Sequence, residues 1–184
     1  MLSDEASSFS IVIQALSYAA EKHRHQRRKG SDHAPYINHL IDVLDLLWRV
    51  GGERDPAVLA AGVLHDVVED TGTPPAEIEA RFGKRIRDLV MEVTDDKTLP
   101  QAERKRLQET HAPMLSRDAR VIKLADKISN VRDLHRYPPE GWPLERRNEY
   151  EAWAKRVVDA LRGANPALEA EFDRVLEQGH PSGE

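Results

Sequence analysis

Cysteine is absent from the 184 residues, which excludes disulfides and every thiolate metal site. Aromatic residues make up only 5%, and alternating β-branched runs are almost missing, so an all-β architecture has little to build on. No apolar run approaches the ~20 residues that span a bilayer, and no secretory leader is recognisable. Excess positive charge is missing too: the formal net charge is −5. Neither nucleic acid nor an anionic membrane therefore has an electrostatic reason to be the main partner. A soluble, cytoplasmic protein is expected. With 40% apolar residues, the chain can fold as one domain over residues 1–184, its core spanning about 8 to 176.

What is present concentrates in Ala61-Gly62-Val63-Leu64-His65-Asp66-Val67-Val68-Glu69-Asp70-Thr71. The pattern predicts the end of one buried helix, with Asp55 as its cap, Pro56 in its first turn and Thr71-Gly72 as its stop. At about 100° per residue, His65, Asp66, Glu69 and Asp70 share an arc of roughly 140°. Three carboxylates and an imidazole so crowded repel one another and raise each other's pKa values. A divalent transition metal removes that penalty, because imidazole nitrogen and carboxylate oxygen are both good ligands for it. A solvated helix face is the plainer alternative, and this stretch alone does not decide between them.

The remaining segments read as helices and turns. Ser8 or Ser10 caps a first helix with the apolar stripe Ile11, Val12, Ala15, Leu16, Ala19 and Ala20. It runs into the basic cluster His23-Arg24-His25-Gln26-Arg27-Arg28-Lys29-Gly30, read either as a solvated helix end or as a phosphate clamp. Pro35 opens a helix from Tyr36 to Val50, with His39 near its start and Gly51-Gly52 at its end. Thr73-Pro74-Pro75 begins a short helix that ends at Phe82-Gly83, and the Ile86, Leu89, Val90, Val93 pattern gives another, broken at Thr94-Asp95-Asp96, a turn expected to be solvated. Pro100 to Thr110 reads as an exposed helix. Ser116 starts a helix whose core face is Val121, Leu124, Ala125, Ile128 and Val131, with Lys123, Asp126 and Asn130 within roughly 60° on another face. That polar face becomes functional only if Asp126 meets the His65 cluster. A long helix with Tyr150, Trp153, Val157 and Leu161 inward ends at Gly163. A last one runs from Asn165-Pro166 to Leu176, and the tail from Gly179 is expected to fray. With no repeat, linker or defensible strand, the fold is all-α and single-domain.

Taken in order, His39 in Pro35-Tyr36-Ile37-Asn38-His39, then His65-Asp66, then Asp126 in Lys123-Leu124-Ala125-Asp126-Lys127 resemble the metal ligands of the HD-domain phosphohydrolases. Arg27-Arg28-Lys29, Leu64 to Thr71, Val93 to Pro100, Glu103-Arg104-Lys105, Lys123 to Asn130 and Pro139-Glu140-Gly141-Trp142 sharpen the match. The set is similar to the (p)ppGpp hydrolase domain of the Rel/SpoT family, in particular to its stand-alone small alarmone hydrolases, metazoan members included. The resemblance implies an HD-domain helical bundle. It also implies one metal ion, usually Mn2+, on His39, His65, Asp66 and Asp126, with Glu69 and Asp70 activating the attacking water. Arg28, Lys29 and Asn130 match nucleotide contacts, with Lys127 and Arg132 as weaker candidates. The same ligands suit zinc, iron or cobalt. The synthetase and regulatory domains of the long family members are not expected in this chain.

Two residues depart from the family pattern. Leu40 stands where Pro more often follows the ligand His, and Ser129 replaces a bulkier residue, where it is expected to line the base pocket. The activity implied is hydrolysis of the 3′-pyrophosphate of guanosine tetra- or pentaphosphate. The rival readings are an HD phosphatase acting on NADPH or a 5′-nucleotide, and a non-catalytic alarmone sensor. Filled ligand and acidic positions speak against the sensor.

Overall fold

The computed structural model describes residues 4–179. Among them ten α-helices carry the fold, with one π turn and one 3-10 turn. The only β features are two isolated bridges, Arg27 with Pro35 and Gly30 with Pro139. The all-α expectation holds, and no described helix is long and apolar enough to cross a membrane.

Two helices form the centre. Helix α3 (Pro56–Leu64) starts as its residues dictate: the Asp55 carboxylate accepts the Ala57 N–H, and Pro56 occupies the first turn. Every residue from Val58 to Leu64 is buried, as befits a helix apolar all round. Helix α8 (Arg117–Arg136) is capped by Ser116, whose hydroxyl accepts the Ala119 N–H. It buries Val121, Leu124, Ala125, Ile128 and Val131 as its spacing requires. Around this pair pack α1 (Asp4–Lys22), α2 (Ile37–Asp45), α6 (Lys84–Val93), α9 (Leu144–Leu161) and α10 (Pro166–Gly179). Helix α5 (Pro75–Phe82) lies on α6, and α7 (Gln101–His111), which buries no residue, lies on α9.

The structure revises three local expectations. Helix α1 is already formed at Asp4, so Ser8 and Ser10 lie inside it rather than at its cap, and Ser10 Oγ accepts the Gln14 side-chain N–H. The helix expected from Tyr36 to Val50 begins at Ile37 and passes at Leu46 into a π turn, Leu46–Val50. The expected single helix through His65 is two: α3 ends at Leu64, and α4 (Val67–Thr71) starts afresh after Asp66 and stops at Gly72 in the left-handed region, φ 69°. The Gly62 carbonyl, which a continuous helix offers to the Asp66 N–H, instead accepts the His65 ring N–H at 2.8 Å. The fraying tail falls at the edge of the description, and residues 180–184 lie outside it.

Candidate active site

The break after α3 projects His65 and Asp66 toward α2 and α8. His39, the third residue of α2, is 2% exposed, His65 4% and Asp126 of α8 7%. His39 Nε2 lies 3.3 Å from Asp126 Oδ1 and 3.4 Å from His65 Nε2, while His65 Nε2 lies 3.6 Å from Asp126 Oδ1. Ligand atoms of these three residues fall within 4.8 Å of one another, a spacing that can hold a metal ion. Asp66 stands beside them, its Oδ2 at 3.0 Å from His65 Nε2 and 3.7 Å from His39 Nε2. The same oxygen accepts the Tyr36 hydroxyl. Asp126 therefore does meet the His65 cluster, and the polar face of α8 is more than a solvated stripe.

Electrostatics favour a cation at this point. Burial alone depresses an imidazole, yet Asp66 and Asp126 lift His65 to about 10. Burial would raise the two carboxyls, but the His65 charge beside Asp66, and Lys127 and the two imidazoles beside Asp126, hold both below the usual carboxylate range. His39 moves the other way, lowered by burial and by the Arg28 charge. Two anionic oxygens thus converge on two imidazole nitrogens, the donor set that divalent transition metals prefer. The other ring nitrogens point outward: His65 Nδ1 to the Gly62 carbonyl, His39 Nδ1 to Ser129 Oγ at 3.0 Å.

The acidic pair occupies α4. Glu69 accepts the Asp95 N–H at 3.1 Å, with Arg104 and Lys97 nitrogens 3.7 and 3.8 Å from its other oxygen. Burial first, then the negative charges of Asp66 and Asp95, push its pKa up, which suits a proton acceptor working near neutrality. Asp70 accepts the Gln26 side-chain N–H at 2.7 Å and pairs with Lys97.

The basic loop is partly drawn in. Arg28 donates to Asp133 and Asn130, both at 3.0 Å, and lies over the Tyr36 ring. Asn130 in turn donates to Asp126 at 2.6 Å. Arg28 and Asn130 therefore adjoin the cluster, while Lys29 is exposed and unpaired among the described residues.

The other candidates lie differently. Lys127 is buried, bonded to Asp126 Oδ2 at 3.0 Å and set over the Trp153 ring. Arg132 is held by Asp42 and Glu171, at 2.9 and 2.8 Å, and bonds no residue of the cluster. Ser129 is 1% exposed and sits against His39, so it lines no open base pocket.

Sequence reasoning passed over Tyr36, Gln26, Asp95 and Lys97. Asp95, expected in a solvated turn, is half-buried; Gln108 donates to its carboxylate at 2.5 Å, and Lys123 lies 3.8 Å away. Its signal was available in the Asp95-Asp96-Lys97 charge cluster directly after α6. Gln26 and Tyr36 carry no such local mark.

The HD domain family model matches residues 15–155. A Xenopus tropicalis protein described as guanosine-3′,5′-bis(diphosphate) 3′-pyrophosphohydrolase MESH1 is 51% identical over 175 residues, covering 95% of this chain and 98% of that one. The human protein of the same description is 50% identical, covering 91% of this chain and 93% of its own. A solved structure described as "A metazoan ortholog of SpoT hydrolyzes ppGpp and plays a role in starvation responses" superposes with a TM-score of 0.89. It is 49% identical and covers 91% of this chain and 94% of that one.

Proposed function

This chain belongs to the HD domain family, and from that premise we propose that it is a hydrolase removing the 3′-pyrophosphate of guanosine-3′,5′-bis(diphosphate), with Mn2+ as its metal. The observation that carries the reading is the buried convergence of His39, His65 and Asp126 from three separate elements. It occurs in a chain about half identical, over nearly full length, to proteins described by that reaction.

His39, His65, Asp66 and Asp126 would hold the cation, whose chemistry is to stabilise charge on phosphoryl oxygens and to acidify a water. Glu69 takes the proton of the attacking water, its carboxyl raised toward the working range by burial and by Asp66. Asp70, tethered by Gln26 and Lys97, keeps α4 and the loop after α6 in register with that water. Arg28 and Lys29 offset the charge of the diphosphate, which an acidic protein otherwise repels. Asn130 ties Arg28 to Asp126, so the phosphate-binding and metal-binding groups move as one unit. In the overall step water adds to the phosphorus on ribose O3′. The bond to that oxygen breaks, and the nucleotide leaves with a 3′-hydroxyl while pyrophosphate carries the water oxygen.

The test is a product assay on the purified protein with Mn2+, offering ppGpp and NADPH in parallel. GDP and pyrophosphate from ppGpp, abolished by a chelator, are expected. Orthophosphate from NADPH with ppGpp untouched would move the substrate and keep the site. Bound metal with no turnover of either would overturn the reading as an enzyme.

A further inference from the structure

The two imidazoles of the cluster are braced in different ways, and the difference singles out a residue with no place in the mechanism above. His65 donates its Nδ1–H to the Gly62 carbonyl at 2.8 Å. A carbonyl can only accept, so this bond fixes a proton on Nδ1 and leaves Nε2 as the nitrogen that faces Asp66 and Asp126 and binds a cation once its own proton is displaced. His39 also turns Nε2 to the cluster, but its Nδ1 meets a hydroxyl, Ser129 Oγ, at 3.0 Å. With His39 2% and Ser129 1% exposed, both partners of that bond are shielded from bulk water.

We infer that Ser129 is a positioning residue for His39: its hydroxyl accepts the Nδ1–H and so holds the ring with Nε2 presented to the cation. The inference rests on the reading of His39 as a metal ligand. Ser129 follows Asp126 by three residues on α8, and residues at that spacing are neighbours on a helix surface. One helix therefore supplies a ligand of its own and the brace of a second ligand that belongs to α2. Because a hydroxyl can accept or donate, it constrains the imidazole less strictly than the carbonyl behind His65. The contribution of Ser129 is therefore specific to the hydroxyl and separable from the packing of a small side chain between α2 and α8. Outer partners of metal-bound histidines typically contribute ~10–100-fold to metal affinity.

The experiment compares the wild type with Ser129→Ala and Ser129→Thr by calorimetric titration of the metal-stripped proteins with Mn2+, alongside ppGpp kinetics over a range of Mn2+ concentrations. Ser129→Ala is expected to bind Mn2+ about 10–100-fold more weakly. Its kcat should return toward the wild-type value at saturating Mn2+, and its KM for ppGpp should not move. Ser129→Thr, which keeps Oγ, should restore the affinity. Wild-type affinity in Ser129→Ala would overturn the inference, as would equal weakening in both variants, since that marks a packing effect. If the wild type itself took up no Mn2+, Zn2+ or Fe2+, the ligand reading would fail and the positioning role with it. Failure of Ser129 alone leaves wild-type binding intact, so the two failures are told apart.

Discussion

Asp126 ties the cluster to its surroundings through both of its oxygens. One of its oxygens faces both imidazoles and accepts from Asn130, and the other accepts from the buried Lys127 ammonium. Truncation to Ala would strand Lys127 as an unpaired buried charge, a defect that typically costs about 3–5 kcal/mol and would confuse loss of metal with loss of fold. Asp126→Asn keeps the volume and an acceptor for Lys127 but removes the anionic ligand. It is expected to fold, to bind Mn2+ well below one equivalent and to lose turnover. Full metal stoichiometry in that variant would show the ligand assignment to be wrong. Glu69→Gln gives the opposite split: metal content unchanged by elemental analysis, and kcat lower by about 10²–10⁴-fold, the usual contribution of a positioned proton acceptor. Retained turnover would remove Glu69 from its role. His65, Asp66, Glu69 and Asp70 were legible because they sit within six residues of each other. His39 and Asp126 became legible only through ordered resemblance, since nothing local distinguishes a ligand histidine from a hydrogen-bonded core one. Ser129 was misplaced for the same reason: a serine's partner 90 residues away along the chain leaves no periodic trace.

Among the elements, the contact between α3 and the π turn fixes where His65 emerges. A Cβ on Gly62 would meet Leu47 Cδ1 at 2.4 Å, and Leu47 is fully buried, so its side chain has little room to yield. Gly62→Ala is therefore an overpacking substitution, expected to destabilise by about 1–3 kcal/mol. The check is urea denaturation, read as a lower midpoint at unchanged slope. A midpoint equal to the wild type would mean that Leu47 rotates freely and that the crossing is looser than it looks. Because the Gly62 carbonyl also accepts the His65 ring N–H, the same substitution should weaken Mn2+ binding at temperatures where the protein remains folded. This is where helix-wheel reading gave out. Periodicity treats residues 56–71 as one cylinder, but it cannot show a side chain capturing the carbonyl meant for the next turn. Local signals succeeded where both partners are close: Asp55 and Ser116 cap as expected, and Gly72 stops α4 at φ 69°, whereas α9 stops one residue before Gly163, at an extended Arg162.

In the whole molecule the cluster joins α2, the α3–α4 junction and α8, three parts of the bundle brought together from residues 39, 65–66 and 126. The class of the fold followed from what the composition withholds. The crossing of α3 and α8 did not, because α3 is apolar all round and so offers no one-sided stripe to tell which neighbour each of its faces meets. A cation bound across that crossing stabilises only the folded chain, since the unfolded chain does not bring these side chains together. At a free Mn2+ concentration of about 100 times Kd, the gain is about 2.7 kcal/mol. For a domain of this size, each kcal/mol moves the melting midpoint by about 2–4 °C. Stripping the metal with a chelator should therefore lower Tm by about 5–11 °C, and returning Mn2+ should restore it in a concentration-dependent way. Asp126→Asn, melted with and without Mn2+, should show little of this shift, which separates binding at the cluster from weak uptake by surface carboxylates. A wild-type Tm indifferent to Mn2+, at concentrations where calorimetry shows the site filled, would mean that the cation sits elsewhere or binds the unfolded chain as well. Either result would break the link between the bundle's geometry and its chemistry.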